Sequence, residues 1–268
     1  MTKINNNMII NYYYFYYLVI IIFSNSISVF CQKQEQRTYR ELITEPTIFT
    51  PEYNRIIGHA ELPVVKNELS ITLKIYLENH GPEVYGVFHK GTTDASRTPA
   101  LWLGPTDSFP VLRFSTTGSA DVGFNLNGYG FLLNRWYHIA YTISNPDKRM
   151  NFYIDGEWVG SSSITYIQGQ SILFNDGPLY IGRHFGYKGF TGQINNFRYY
   201  NFRLSHSEVL MDYSGEDPTK HNDNDGCLNK SFVNLTIAFF LGMMVLSGIL
   251  FIHKIIIRRS YQAIPNPM

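Results

Sequence analysis

Cysteine and charge are scarce in this sequence. Its two cysteines, Cys31 and Cys227, are too few for a disulfide-dense scaffold or a four-cysteine zinc site. Charged residues make up only 16% of the chain and the net charge is +1, which is not the electrostatic signature of a nucleic-acid-binding protein. We therefore predict no nucleic-acid partner.

Sequence signatures of common catalytic sites are lacking as well. The chain has no P-loop, no Gly-x-Gly-x-x-Gly turn and no His-Glu-x-x-His metal motif, and no Ser/His/Asp arrangement can be recognised. We therefore predict that the protein is not an enzyme.

Aromatic residues, by contrast, are abundant at 16% of the 268 residues, so the chain can bury a substantial core. From Glu68 to Glu78, Leu or Ile alternates with Ser, Thr, Lys or Tyr, which predicts a strand with one buried face. Other short strand-like runs, separated by Gly, Pro and Asn, are 47–49, 55–65, 84–89, 100–103, 111–115 and 122–126. Because no helical period of any length interrupts them, the pattern predicts an all-β antiparallel β-sandwich or jelly roll.

The stretch from Trp136 to Leu204 holds the most informative motifs. Trp136 begins a Trp-x-His-Ile-Ala strand, and Asp155-Gly156 forms a hairpin signal between two strand-like runs. Leu-Tyr-Ile-Gly at 179–182 and Gly-x-Ile-x-x-Phe-Arg-Tyr-Tyr at 192–200 follow. In this order and spacing, the four motifs resemble the second half of a laminin G-like domain of the concanavalin A-like lectin/glucanase superfamily. The resemblance implies a sandwich domain over residues 33–213 and does not specify a ligand.

The resemblance also implies three kinds of site. Glucanase members place their carboxylates on one strand as Glu-x-Asp-x-Glu, and the lack of such a string here argues against glycoside hydrolysis. Some laminin G-like modules bind Ca²⁺, the only cofactor implied, at the rim of the sandwich, and Asp107 and Asp121 are the candidate ligands. Phe185, Tyr187 and Phe190 lie in a glycine-rich loop and are the candidates for stacking on a sugar ring, with core packing as the alternative for each.

Two further patterns predict structural roles. His138, in the Trp-x-His strand, is expected to be a packed histidine that is hydrogen-bonded inside the sandwich. Ser205 and Glu208 have the spacing of a capping box, which predicts a short helix from Ser205 to Tyr213 at the end of the domain.

The N-terminal segment 1–31 is predicted to be a secretory signal peptide. Its apolar-aromatic run, residues 12–23, is too short to span a bilayer comfortably, although an uncleaved membrane anchor is the alternative. Cleavage after Ser28 would leave Cys31 to form a disulfide with Cys227, whereas cleavage after Cys31 would leave Cys227 alone.

The C-terminal part is predicted to be a membrane anchor. Residues 214–231 carry four acids among Asn, Gly and Pro, which indicates a solvated stalk, and Asn229 begins a glycosylation sequon. Residues 232–254 include 21 consecutive uncharged and mostly apolar residues, enough for one helix across a bilayer core of ~30 Å. Because acids precede the uncharged stretch and Lys254 and two arginines follow it, the positive-inside rule predicts a single-pass type I membrane protein.

The predicted cytoplasmic tail, residues 255–268, contains Tyr261-Gln262-Ala263-Ile264. This string has the Tyr-x-x-hydrophobic form that clathrin adaptors read, so Tyr261 and Ile264 are candidate sorting residues. The sequence as a whole predicts a recognition or adhesion protein of the cell surface or of endosomal or lysosomal membranes, with a glycan or protein ligand. The alternatives are a divergent membrane-anchored glycoside hydrolase and a structural or sorting membrane glycoprotein.

Overall fold

The computed structural model describes residues 37–220 and, beyond them, positions 239, 242, 248, 253, 254 and 257, all of which are helical. The predicted signal peptide, Cys31, Cys227, Asn229, Tyr261 and Ile264 lie outside these residues, as do most of the predicted span 232–254 and most of the tail 255–268. Among the described residues, no helix is both long and apolar enough to cross a membrane. The described residues 37–220 belong to one compact unit.

Two antiparallel sheets make up this unit. The seven-stranded sheet contains β1 (Tyr39–Ile43), β2 (Thr47–Phe49), β4 (Glu68–Leu77), β9 (Trp136–Ser144), β10 (Arg149–Ile154), β11 (Glu157–Ser163) and β13 (Gly192–Tyr200), in the order β1-β13-β4-β9-β10-β11 with β2 also paired to β13. The six-stranded sheet contains β3 (Asn54–Ile57), β5 (Tyr85–Lys90), β6 (Ala100–Leu103), β7 (Pro110–Phe114), β8 (Val122–Asn125) and β12 (Leu179–Gly182), in the order β3-β12-β5-β6-β7-β8. The predicted all-β antiparallel sandwich is confirmed.

The core lies between the inner faces of the two sheets. Phe88 of β5 has its ring 6.0 Å from that of Tyr141 on β9 and 5.9 Å from that of Phe197 on β13, both edge to face. All three side chains are fully buried. Edge-to-face packing adds roughly 0.5–1.5 kcal/mol per pair to the burial of apolar area, so this trio holds the two sheets together.

The outer face of the seven-stranded sheet is buried in part, which the alternation in β4 did not predict. Ser70 and Thr72 point away from the core but are as inaccessible as Ile71 between them. The segment after β13 covers Ser70, whose hydroxyl donates to the carbonyl of Phe202 across 3.0 Å and accepts from the amide of Leu204 across 2.9 Å. Tertiary packing therefore overrides the exposure expected of polar residues on one side of a strand.

Helix α1 (His206–Ser214) lies at the end of the domain, and its capping box forms as predicted. The hydroxyl of Ser205 accepts from the amide of Glu208, and the Glu208 carboxylate accepts from the amide of Ser205 across 2.7 Å. Gly215 ends the helix in a left-handed conformation, with φ 89°. Of the predicted polar stalk 214–231, Ser214 is the last residue of the helix and Pro218–Lys220 form a 3-10 turn in which Pro218 is buried. Residues 221–231 lie outside the described residues.

Candidate functional site

The outer face of the six-stranded sheet presents a row of ring side chains. Antiparallel register places Tyr180 of β12 opposite His89 of β5, and Trp102 of β6 lies on the neighbouring strand. The residue before each ring, which is Phe88, Leu101 or Leu179, points into the core. Because side chains alternate along a strand, the three rings point outward. The sheet thus supplies a flat base of rings from three adjacent strands.

The loop between β12 and β13 folds over this base. His184 and Tyr187 exchange backbone hydrogen bonds of 3.1 and 2.8 Å around a tight turn. Its two central residues, Phe185 and Gly186, have φ of 41° and 91°, the positive values that a type I′ turn requires. A bond of 2.8 Å from the amide of Gly86 to the carbonyl of Lys188 ties the loop to β5.

Glycine at position 86 lets the loop approach the sheet. A Cβ there would lie 2.4 Å from Cε1 of His184 and 2.7 Å from the carbonyl oxygen of Gly182, both far inside van der Waals contact. The imidazole of His184 therefore occupies the space that any other residue at position 86 would need.

The resulting aromatic cluster consists of His89, Trp102, Tyr180, His184, Phe185 and Tyr187. Ring centroids are 4.9 Å apart for His89 and His184, 5.7 Å for Trp102 and His184, and 5.6 Å for Trp102 and Tyr187. Phe185 lies edge to face with Tyr180 at 5.1 Å and with His89 at 5.0 Å. Phe185 is 38% exposed, whereas His89, Trp102 and His184 are buried beneath it. The cluster therefore offers one prominent ring to solvent over a closed base.

Charged side chains line one side of the cluster. The guanidinium carbon of Arg97 lies 5.5 Å from the centroid of Trp102. Arg97 pairs with Asp94 at 3.1 Å and with Asp121 at 2.9 Å, and Asp121 also pairs with Arg113 at 2.9 Å. This network sets hydrogen-bonding groups beside the rings, the combination that ligand sites in proteins use for orientation.

The sugar-stacking candidates separate in the structure. Phe185 and Tyr187 belong to the aromatic cluster, with Tyr187 partly buried. Phe190 is buried and its ring stacks on Phe49 with centroids 5.3 Å apart, so it presents no ring to a surface ligand. The alternative role, core packing, is the one that Phe190 has.

The Ca²⁺ candidates lie in different surroundings. Asp121 accepts from two arginines, as described above. Asp107 lies in the loop between β6 and β7, where its Oδ1 is buried without a hydrogen-bond partner and its side chain packs against Gly130. In the part of the chain that the structure describes, no three His, Cys, Asp or Glu side chains are grouped as metal ligands would be. The Ca²⁺ assignment of Asp107 and Asp121 stays a prediction.

His138 is buried and hydrogen-bonded, but its partner lies outside the core. Its Nε2 donates to Oδ2 of Asp212 on α1 across 2.9 Å, beneath the helix on the outer face of the seven-stranded sheet. Burial alone would raise the pKa of Asp212, but hydrogen bonds from His138 and Tyr200, with the charge of Arg198, lower that pKa to about 2. These bonds fix the helix on the sheet, so we assign the group a structural role.

A cavity of about 160 Å³ lies beside Lys90 and Asn175, and Phe174 and Tyr199 contribute to its wall. Burial lowers the pKa of Lys90 to about 8, against the opposing charge of Asp176. The ammonium of Lys90 donates to the carbonyl of Asn175 and lies 3.2 Å from Nδ1 of His59. Because neighbouring groups already bind the ammonium of Lys90, that ammonium is not free to bind a ligand in the cavity. The aromatic cluster is therefore the stronger candidate for a ligand site.

Comparison with known proteins bears on the fold. The model of the Laminin_G_3 family, described as concanavalin A-like lectin/glucanases superfamily, matches residues 54–210. No curated protein matches the sequence. The binding domain of botulinum neurotoxin serotype D is similar in structure, with a TM-score of 0.50, 15% identity and coverage of 67% of this chain and 46% of that chain.

A sialidase of Trypanosoma rangeli is similar over 55% of this chain and 22% of its own, with a TM-score of 0.42 and 17% identity. This chain thus spans less than half the length of either structure. At these identities the likeness concerns the fold alone.

Proposed function

Because this chain belongs to the concanavalin A-like lectin/glucanase superfamily, we propose that its laminin G-like domain is a recognition module that binds a glycan and performs no catalysis. The observation that carries the proposal is the exposed ring of Phe185 in the aromatic cluster, whose Trp102 has the Arg97 and Asp121 ion pair beside it. An exposed ring stacks on the apolar face of a sugar, and charged groups at its side hydrogen-bond to hydroxyls. A protein ligand at the same surface is the alternative.

We further propose that the domain is part of a single-pass type I membrane protein. It is supported by the uncharged stretch within 232–254 and the basic residues after it. In this proposal the domain faces the cell exterior or a lumen, Asn229 carries a glycan, and Tyr261 and Ile264 are read by a clathrin adaptor. The protein would then reside at the cell surface or in endosomal or lysosomal membranes.

A recognition role on this fold has a precedent in the neurotoxin D domain, which is described as a receptor-binding domain. The shared fold does not transfer that receptor to this chain. Fold likeness therefore supports only the general class of function, and the ligand has to be found by experiment.

Glycoside hydrolysis is the competing function. It needs two carboxylates that are free to contact the scissile bond, roughly 5–9.5 Å apart depending on stereochemistry. The carboxylates beside the cluster, Asp94 and Asp121, are both bound to Arg97. Release of reducing ends from β-glucans by the purified protein would favour the hydrolase.

A glycan array, with and without Ca²⁺, tests the recognition proposal directly. We expect full-length protein to bind a subset of glycans and Phe185→Ala to lose at least tenfold in affinity, equivalent to about 1.4 kcal/mol. Tyr166→Ala is the matched control, since Tyr166 is 79% exposed in another loop and should not alter binding. Equal affinity of the Phe185→Ala protein, or the absence of any glycan ligand, would reject the proposal, and capture of a defined protein instead would favour the alternative.

A further inference from the structure

Three ring nitrogens of the aromatic cluster are buried without a hydrogen-bond partner. They are Nδ1 of His89, Nε1 of Trp102 and Nε2 of His184, on side chains that are 0%, 2% and 3% exposed. An unsatisfied buried polar group costs about 1–3 kcal/mol, so proteins rarely keep three in one cluster without a partner for them. These nitrogens therefore point to a bound species that is not part of the polypeptide.

The hydrogen bonds of the two histidines determine which nitrogen has a lone pair. Nε2 of His89 lies 3.2 Å from the carbonyl oxygen of Thr93, and Nδ1 of His184 lies 2.9 Å from the carbonyl oxygen of Gly182. A carbonyl oxygen only accepts, so each of these nitrogens has the proton and the opposite nitrogen has the lone pair.

This arrangement is the one that metal-binding histidines adopt. Such a histidine donates its second ring N–H to a carbonyl or carboxylate, which fixes the tautomer and aims the lone pair at the ion. Two imidazoles bound at about 2.0–2.1 Å to one tetrahedral ion have ring centres roughly 5 Å apart. The centroids of His89 and His184 are 4.9 Å apart.

A charged network of mixed sign lies beside the rings. Arg97 is the nearest guanidinium, and it is neutralised by Asp94 and Asp121. With Arg113 included, the network contains two positive and two negative side chains, so its formal charge is zero. Oδ1 of Asp94 is itself buried without a partner.

We propose that His89 and His184 bind a divalent late transition-metal ion of the Zn²⁺ and Cu²⁺ class. Neutral imidazole nitrogen is a preferred ligand of these ions and a poor one for Ca²⁺, so this site is separate from the one predicted at Asp107 and Asp121. With two protein ligands, the ion keeps open positions for water or for an atom of a bound molecule. The indole N–H of Trp102 is the donor available to that water.

Titration of the full-length protein with Cu²⁺, followed by tryptophan fluorescence, is the first test. The ring of Trp102 is 5.7 Å from each histidine ring, so one equivalent of Cu²⁺ should quench its emission. We expect His89→Asn and His184→Asn each to raise the half-quenching concentration at least tenfold, and Trp102→Phe to remove most of the quench. His59→Asn, which changes a histidine outside the cluster, is the control and should leave the titration unchanged.

A second measurement needs no variant and so does not depend on how the variants fold. In ¹⁵N-histidine spectra of the unaltered protein, Zn²⁺ should shift one nitrogen on each of two histidine rings and raise Tm. Unchanged histidine spectra with Zn²⁺, or Cu²⁺ quenching that persists in both histidine variants, would overturn the proposal. No glycan is present in either experiment, so their outcome is independent of the proposed recognition function.

Discussion

His138 and Asp212 form a buried hydrogen bond of 2.9 Å between β9 and α1, with each side chain only 3% exposed. The other oxygen of Asp212 accepts from the hydroxyl of Tyr200 across 2.7 Å and from Arg198 across 2.6 Å. One carboxylate therefore joins the closing helix to both β9 and β13, which lie on either side of β4. It is the most highly connected acid that we find in the described domain.

Acid should weaken this connection in a defined pH range. The pKa of Asp212 is lowered from 3.8 to about 2 in the folded state, so its stabilising contribution is complete above about pH 4 and is lost as the pH falls toward 2. The shift corresponds to about 2 kcal/mol. We expect Asp212→Asn to be less stable than the unaltered protein at pH 7 and to show a smaller loss of stability between pH 4 and 2.

Urea unfolding at several pH values measures both effects. Asp147→Asn is the control because Asp147 forms its ion pair with Arg203 at the surface. The stability of Asp212→Asn could instead fall between pH 4 and 2 as steeply as that of the unaltered chain. That result would contradict the assignment of the titration to Asp212.

A methyl group at position 86 should displace the loop that covers the aromatic cluster. Its contacts would be 2.4 Å to His184 and 2.7 Å to the backbone of Gly182, and the backbone cannot move without disturbing β12. We expect Gly86→Ala to cost about 1–3 kcal/mol of unfolding free energy and to weaken Cu²⁺ quenching of Trp102.

Gly58→Ala provides the comparison for this substitution. Gly58 has a φ of −63°, and a Cβ there would meet its nearest neighbour at 3.4 Å, an ordinary contact. Thermal unfolding of both variants should show a lower Tm for Gly86→Ala alone. Equal melting temperatures would mean that the loop does not depend on the close approach at Gly86.

Removal of the ring at Phe88 should destabilise the contact between the sheets. Phe88 packs on Tyr141 and Phe197 from the opposite sheet, so Phe88→Ala leaves a cavity at the centre of the core. We expect a loss of about 3–5 kcal/mol in urea unfolding. Ile56→Ala, at a residue that is 55% exposed, should change stability by about 0.5 kcal/mol or less. A loss below 1 kcal/mol for Phe88→Ala would show that the core relaxes around the cavity.

The sorting proposal makes a prediction about the tail. Tyr261→Ala removes the aromatic residue that an adaptor would read, so we expect more protein at the cell surface and slower internalisation of surface-labelled protein. Gln262→Ala changes a position that the Tyr-x-x-hydrophobic form leaves open, and it should be internalised like the unaltered chain. Identical distributions for all three proteins would remove the sorting role.

The strands that carry strong local signals were predictable from the sequence. Glu68–Leu77 alternates over ten residues, and Asp155-Gly156 turns β10 into β11 as its residue types indicate. Asp155 and Gly156 both have positive φ, at 49° and 84°. By contrast, β1 was not predicted, because Tyr39–Ile43 mixes Arg and Glu with apolar residues and is a strand through its pairing with β13. Local pattern cannot reveal a strand whose partner is distant in sequence.

The candidate site was predictable only in part for the same reason. Phe185 and Tyr187 were predicted, together with Phe190, as aromatic residues in a glycine-rich loop between two strands. His89 and Trp102 did not, since each follows apolar residues in a strand and reads as core. Their outward orientation depends on register, and their proximity to His184 depends on a loop that returns across β5. Gly86, directly before a run of bulky residues, was the one local hint of a close approach.

The pairing of β1 with β13 sets an order of events during synthesis. Tyr39 pairs with Tyr200, so one of the first strands of the domain finds its neighbour only when the last strand is available. Until then β1 and β4 both lack the partner that lies between them. A ribosome must therefore finish the whole domain before the sheet can close, and a chaperone that shields unpaired strand edges has most to protect in that interval.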